Sequence, residues 1–275
     1  MNWSLPGQPL TLLVGTAPLS FALAGDLPDK SRSNLFNPTP KDRLREFATD
    51  RPDKTEGPAT VDAGHFQFEM DLATFTHDAG TKVWNVAPFD LCAGLLNQVE
   101  LSLIFGSYVN EQSTSTWSGV GDFITRLKIN LWGNDRGPTA FAFLPFVRVP
   151  TNTGGFGNDA VEGGSLFPFS VNLPGQIEMG METGLSFLRN EIGRSYHEEF
   201  VNSVTFAREI VARLRAYCEF FSSVSTERNS DWMGTVDLGV TFAMTEDLQL
   251  DCACNIGAAR GAANINAFSG LGFRF

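Results

Sequence analysis

The sequence predicts an all-β fold: a transmembrane, antiparallel up-and-down β-barrel of about twelve strands with both termini on the periplasmic side. Three observations carry this. Apolar residues recur at every second position through most of the chain, the period of a strand with one apolar face. Many of these runs approach the roughly nine to eleven residues that cross a bilayer at a tilt. The connections between them alternate between short and long, as in bacterial membrane barrels.

The alternation begins after Gly64, where Phe66, Phe68, Met70 and Leu72 oppose Gln67, Glu69 and Asp71. It recurs with Val99, Leu101, Leu103 and Phe105, and with Phe123, Leu127, Ile129 and Leu131 against Arg126, Lys128 and Asn130. Two phenylalanine-rich runs follow at 141–149 and 167–173, then Ile177, Met179, Met181 and Leu185 against Glu178 and Glu182. The last third repeats the pattern at 214–220, 236–242 and 248–256, and the final strand covers 265–275. Less regular strands are expected near 82–93 and 200–206. Tight turns are expected at 134–137, 173–175, 208–210 and 245–247, and longer polar loops at 110–119, 150–164, 189–195 and 223–231; the connection at 78–81 is short.

Composition narrows the classes. The 275 residues carry 31 acidic against 20 basic side chains, a net charge of −11, with no basic run to displace counterions from a nucleic acid. No apolar stretch reaches the roughly 18 residues of a transmembrane helix, although the chain holds 24 Phe and its mean hydropathy is −0.06. Cys92, Cys218, Cys252 and Cys254 form no metal or redox pair and are expected as small wall residues. No cofactor and no metal are implied.

Residues 10–24 are apolar and uncharged, with Ala22 and Ala24 bracketing Leu23, so 1–24 is expected to be a signal peptide. The stretch before it lacks Lys and Arg, and Pro6, Pro9 and Pro18 interrupt it. Residues 25–58 turn polar and lose the alternation, which predicts a periplasmic N-terminal segment or plug with a short helix over 41–49; the barrel then occupies 59–275. The charged run 49–58 is suited to an ordered entry loop, to tying down a barrel mouth or to binding a cation.

With the apolar faces on lipid, the charged faces line the lumen: Glu69, Asp71, Glu100, Asp122, Arg126, Lys128, Arg148, Glu178, Glu182, Arg213, Arg215, Glu219, Asp237 and Asp251. About twelve strands enclose more space than an eight-stranded barrel and less than a sixteen-stranded porin, which predicts a restricted pore. Basic and acidic wall residues facing each other would set a transverse field that selects small polar or anionic solutes, or would neutralise each other in a plugged barrel. His65, His77 and His197 have no Gly-x-Ser-x-Gly elbow to serve, so an outer-membrane lipid-modifying enzyme is the weaker alternative. A closed structural or surface-interaction barrel, presenting Trp117 and Phe156 on its loops, is the other.

The chain ends with Leu271, Phe273 and Phe275 on one face, which resembles the C-terminal insertion signal of Gram-negative outer-membrane barrels. That resemblance implies recognition by the barrel assembly machinery and a place in outer-membrane lipid. The entry Thr60, Val61, Asp62, Ala63 and Gly64 with the strand Phe66, Gln67, Phe68 and Glu69, and the later Gly119, Val120, Gly121, Asp122 and Phe123 leading into Arg126, Leu127 and Lys128, are similar to an outer-membrane transporter family assigned to the MetA pathway of phenol degradation. The resemblance spans about 50–275 and implies an outer-membrane channel without supplying its ligand; with the restricted pore, the expectation is passive, low-selectivity uptake of small, aromatic or hydrophobic solutes. Phe stands where girdle Tyr and Trp are usual.

Overall fold

The computed structural model describes residues 29–106, 108–113, 115–190 and 192–275; the expected signal peptide lies outside the described residues. Fifteen strands form among them: β1 (Phe66–Asp78), β2 (Thr81–Val86), β3 (Phe89–Leu96), β4 (Val99–Phe105), β5 (Tyr108–Gln112), β6 (Thr116–Val120), β7 (Phe123–Trp132), β8 (Thr139–Val149), β9 (Glu162–Leu173), β10 (Ile177–Arg189), β11 (Tyr196–Val211), β12 (Leu214–Ser225), β13 (Met233–Ala243), β14 (Leu248–Gly257) and β15 (Ile265–Arg274). Every pairing is antiparallel, and β15 returns to β1 from Gln67 opposite Arg274 to His77 opposite Ile265, closing the ring.

The ring has twelve staves because three of them are interrupted. β1 pairs with β3 along its first half and with β2 along its second. β5 pairs with β2 as β4 pairs with β3, and β6 continues β7 in the same way. The interruptions share one level. Ala87, at φ 53°, precedes Pro88, whose carbonyl accepts from Asp71 beside the bulge in β1. Gly106 faces Gly121 so closely that a Cβ would stand 2.3 Å from the Gly121 carbonyl carbon.

Connections at the end where the chain enters the barrel are short: 97–98, 133–138, 174–176, 212–213 and 244–247. Three expectations are corrected. The segment 110–119 is the β5–β6 hairpin rather than a loop. The reversal expected at 208–210 falls at Ala212 and Arg213, because Glu209 pairs with Arg215 and Val211 with Leu214, leaving Arg213 at φ 69° to turn the chain. The helix expected over 41–49 is a single 3-10 turn, Lys41–Arg43, since Leu44 is extended and the Arg45 N–H is taken by the Asp62 carboxylate. No described helix is long and apolar enough to cross a membrane.

The outer surface is apolar by the alternation itself. Val236, Leu238, Val240 and Phe242 are exposed on β13 while Thr235 and Asp237 are buried. Tryptophans complete the phenylalanine girdles at the strand ends: Trp132 against Phe141 (4.8 Å between centroids) at the short-turn end, Trp84 against Phe75 (4.7 Å) at the other. Cys218, Cys252 and Cys254 share this outer surface, whereas Cys92 is buried on the inner side with Sγ 3.3 Å from Ser102 Oγ. Leu238→Arg should cost about 2–4 kcal/mol by placing a guanidinium in hydrocarbon. Thr235 accepts a hydrogen bond from Lys54, so an arginine there would meet the Lys54 ammonium; Thr241→Arg, on the same inner face, is the inward control and should cost little. Urea unfolding from lipid vesicles compares the two, and equal penalties would contradict the inside-outside assignment.

Candidate functional site

The polar segment between Arg45 and Asp62 runs inside the ring. It touches staves all round the barrel, from Glu69 and Asp71 on β1, through Glu100, Arg126, Lys128 and Glu182, to Glu219, Asp237 and Asp251 on β12–β14. Alternation has already turned these residues inward, and the segment occupies the space they enclose.

Two kinds of contact hold it. The first is charge pairing, with opposite signs on opposite walls. Asp50 Oδ2 meets Lys128 Nζ at 2.6 Å, and Glu56 pairs with Arg126, both on β7. Across the lumen, Arg51 reaches Asp251 (2.8 Å) and Asp71, with its guanidinium over the Phe268 ring. Lys54 Nζ meets Asp237 Oδ2 at 2.8 Å and lies 4.7 Å from the Phe221 centroid. The second kind satisfies backbone. A chain with no ladder of its own must place its N–H groups elsewhere. Glu219 accepts from the N–H groups of Lys54 (3.0 Å) and Thr55 (2.8 Å), Glu182 from Glu56, Glu100 from Val61 (2.7 Å) and Glu69 from Asp50. Thr55 Oγ1 also lies 2.7 Å from Ser203 Oγ.

The last strand makes room for the segment. A Cβ on Gly270 would stand 2.2 Å from Arg51 Nη2, and one on Gly272 2.3 Å from Thr49 Cγ2. Arg274 on the same face binds the Arg45 carbonyl and Asp247 and covers Phe47. Leu271 and Phe273 alternate with these inward positions, and Phe275 stacks on Phe66 and Phe273. At the entry, Lys30 and Arg45 share Asp62 and Asp135 in a closed four-membered network.

Some expected lumen residues stand away from the segment. Arg148 pairs with buried Glu162, which also accepts from Asn158 and the Arg189 N–H; the alternation did not single out Glu162 because Gly163 and Gly164 follow it. Asp122 is buried and accepts from the backbone and side chain of Asn152, holding down the 150–161 loop. Arg213 is exposed at its turn, so it lies on the rim rather than at a constriction. Glu178 and Arg215 pair with each other at 2.6 Å, half-exposed. His65 bonds the Thr39 carbonyl, and His197 lies 2.9 Å from Asn190 Oδ1 and 3.7 Å from Glu227, while Ser195 Oγ is bonded by Asn190. No cluster of metal-ligating side chains occurs among the described residues.

Beside the segment, along β8–β13, remains a cavity of about 440 Å³ lined by Asp53, Thr205, Ala207, Arg215 and Tyr217. It shares Glu46, Phe47 and Gln249 with a vestibule of about 780 Å³ at the short-turn end. Burial and the facing Glu219 carboxylate push Asp53 up to about 8.

A family model described as "Putative MetA-pathway of phenol degradation" matches residues 49–275. No curated protein matches the sequence. Among solved structures the chain is similar to the NanC porin, with a TM-score of 0.54 at 9% identity over 76% of this chain and 98% of that one. It is also similar to the COG4313 outer membrane channel from Pseudomonas putida F1, with a TM-score of 0.56 at 11% identity over 83% and 100%. Identities this low bear on the fold alone.

Two outcomes follow from the contacts. Arg51→Ala leaves two carboxylates facing each other and should weaken docking of the segment by about 3–5 kcal/mol, with part recovered in the double variant with Asp251→Ala. Protease cleavage within 45–62 in the folded barrel measures it. Asp53 holds a proton when docked that it releases when free, so docking should weaken as pH rises from about 4 to about 8 and level off above. Asp53→Asn should reduce that dependence, and Glu56, which burial pushes up to about 7, supplies a remainder in the same direction.

Proposed function

Because the chain belongs to the family described as "Putative MetA-pathway of phenol degradation", we propose that it is an outer-membrane channel for passive uptake of small, aromatic or hydrophobic solutes, closed in this state by its own N-terminal segment. One observation carries the proposal: the lumen is occupied by a tethered segment held through hydrogen bonds and ion pairs, not by interdigitated side chains of the wall. Polar contacts of this kind exchange with water and release at small net cost, whereas a packed apolar core does not. The segment therefore serves as a plug, and its withdrawal opens a twelve-stave lumen.

The inner wall supports the solute class. Above the charged ring, Ile104 pairs with Ile124 and Leu144 with Leu166, all on the inner face, and Phe221 and Phe268 lie under the cations of the plug. An apolar ring entering there meets aliphatic and aromatic surface, while the cavity beside the plug, lined by Asp53, Thr205, Arg215 and Tyr217, presents polar groups to a substituent. Arg126 and Lys128, the basic residues expected to draw anions through, are neutralised by Glu56 and Asp50 while the plug is docked. Short turns, the entry of residues 29–45 and Phe275 share one end, which is periplasmic in this reading, with Leu271, Phe273 and Phe275 as the signal for the assembly machinery.

Single-channel conductance in a planar bilayer tests the proposal on the full chain and on a variant lacking residues 25–58. The deletion should give steady openings that respond to substitution of Arg126, and the full chain should be closed for most of the record. Silence from both, with protein shown to be folded and inserted, would replace the channel with a closed structural barrel.

A further inference from the structure

Phe36 is 92% exposed, the most exposed large apolar side chain among the described barrel and entry residues, yet it sits on a rigid turn. Asn34 Oδ1 accepts from the N–H groups of both Phe36 and Asn37, the Asn34 and Asn37 backbones bond each other at 3.0 Å, and both asparagine side chains hold the Arg32 carbonyl. Nothing in this construction shields the ring. An ordered turn that projects a bare phenyl group into water is unfavourable, and local hydrogen bonding this complete shows that the projection is built in.

The place of the turn names its partner. Asn34 bridges Leu96, and the Leu35 N–H donates to the Leu95 carbonyl at 2.9 Å. These bonds use the edge of β3 that β1 leaves free, because β1 pairing stops at Phe66 opposite Ala93. The turn therefore extends the barrel wall itself at its short-turn rim. On one side the rim carries Phe273 and Phe275, and on the other Leu96, Leu131 and Trp132, all exposed on the outer face. Phe36 falls in the gap between these two groups, where the aromatic girdle would otherwise lapse.

We propose that Phe36 inserts into the bilayer leaflet at the short-turn rim and anchors the entry to the plug in lipid. The occupant is phospholipid acyl chain at the headgroup boundary, the environment that accepts an aromatic ring on a hydrogen-bonded turn. The anchor fixes the 34–37 turn at the rim while residues 45–62 are held inside the wall, so the plug can leave its site without the turn leaving the membrane. The proposal rests on the membrane placement of the barrel.

The test places a photoreactive benzoyl-phenylalanine in the full chain, in separate variants, at Phe36, at Leu238 and at Lys41. Each variant is reconstituted in vesicles of phosphatidylethanolamine and phosphatidylglycerol and checked for heat-modifiable migration before illumination. Mass spectrometry then reads lipid adducts. Adducts at 36 and 238, with a severalfold lower yield at solvent-exposed 41, are the expected result. Adducts at 238 but not at 36, or equal yields at 36 and 41, would overturn the anchor and leave the barrel in its membrane. Absence of adduct at 238 would remove the membrane placement on which the anchor stands.

Discussion

A segment without secondary structure inside a closed sheet has to find partners for its backbone N–H groups on the wall, and that constraint organises this barrel. Four inward glutamates, Glu69, Glu100, Glu182 and Glu219, meet it by accepting main-chain hydrogen bonds from residues 50–61. Their presence accounts for part of the acidic excess of the chain. A buried carboxylate is costly when unpartnered, so each of these glutamates is satisfied by the plug when it is docked and by water when it leaves. The glycines of the last strand belong to the same arrangement, since Gly270 and Gly272 leave the space that Arg51 and Thr49 fill.

Charge adds direction to that docking. The β7 wall is basic and the wall from β12 round to β1 is acidic, so an empty lumen would carry a field across it. The plug presents Asp50 and Glu56 to the first and Arg51 and Lys54 to the second. The pattern fixes which way the segment faces, because reversing it would set like charges against each other on both sides. It also makes the docked state self-screening: the cations that would attract a passing carboxylate are already engaged.

Much of this architecture was legible in the alternation. Period two places Glu69, Arg126, Lys128, Glu219, Asp237 and Asp251 on one face and the lipid-facing Leu and Val on the other, and strand length with loop asymmetry leads to about twelve staves. Three features were hidden for identifiable reasons. The hairpin β5–β6 contains polar residues on both faces, so it carries no apolar alternation to mark it as a pair of strands. The longer reach of β11 rests on pairing with β12, a tertiary fact that a polar Arg208 and Glu209 conceal. The charged run 49–58 was visible as dense and alternating in sign, but nothing local shows that its partners lie some 20 to 200 residues away on the wall. Phe36 illustrates the opposite limit: one aromatic in a polar stretch has no periodic signature, and only its bond to the β3 edge reveals its place.

The central claim is that docking of residues 45–62 closes the lumen and that their release opens it. A reversible covalent lock tests this most directly. Thr55 and Ser203 already face each other at 2.7 Å between hydroxyl oxygens, so Thr55→Cys combined with Ser203→Cys should form a disulfide that holds the plug on the wall. Solute uptake into proteoliposomes, measured before and after reduction, is predicted to be abolished in the oxidised protein and restored by a thiol reductant. Equal uptake in the two states would show that solutes pass the docked segment, and would contradict the account.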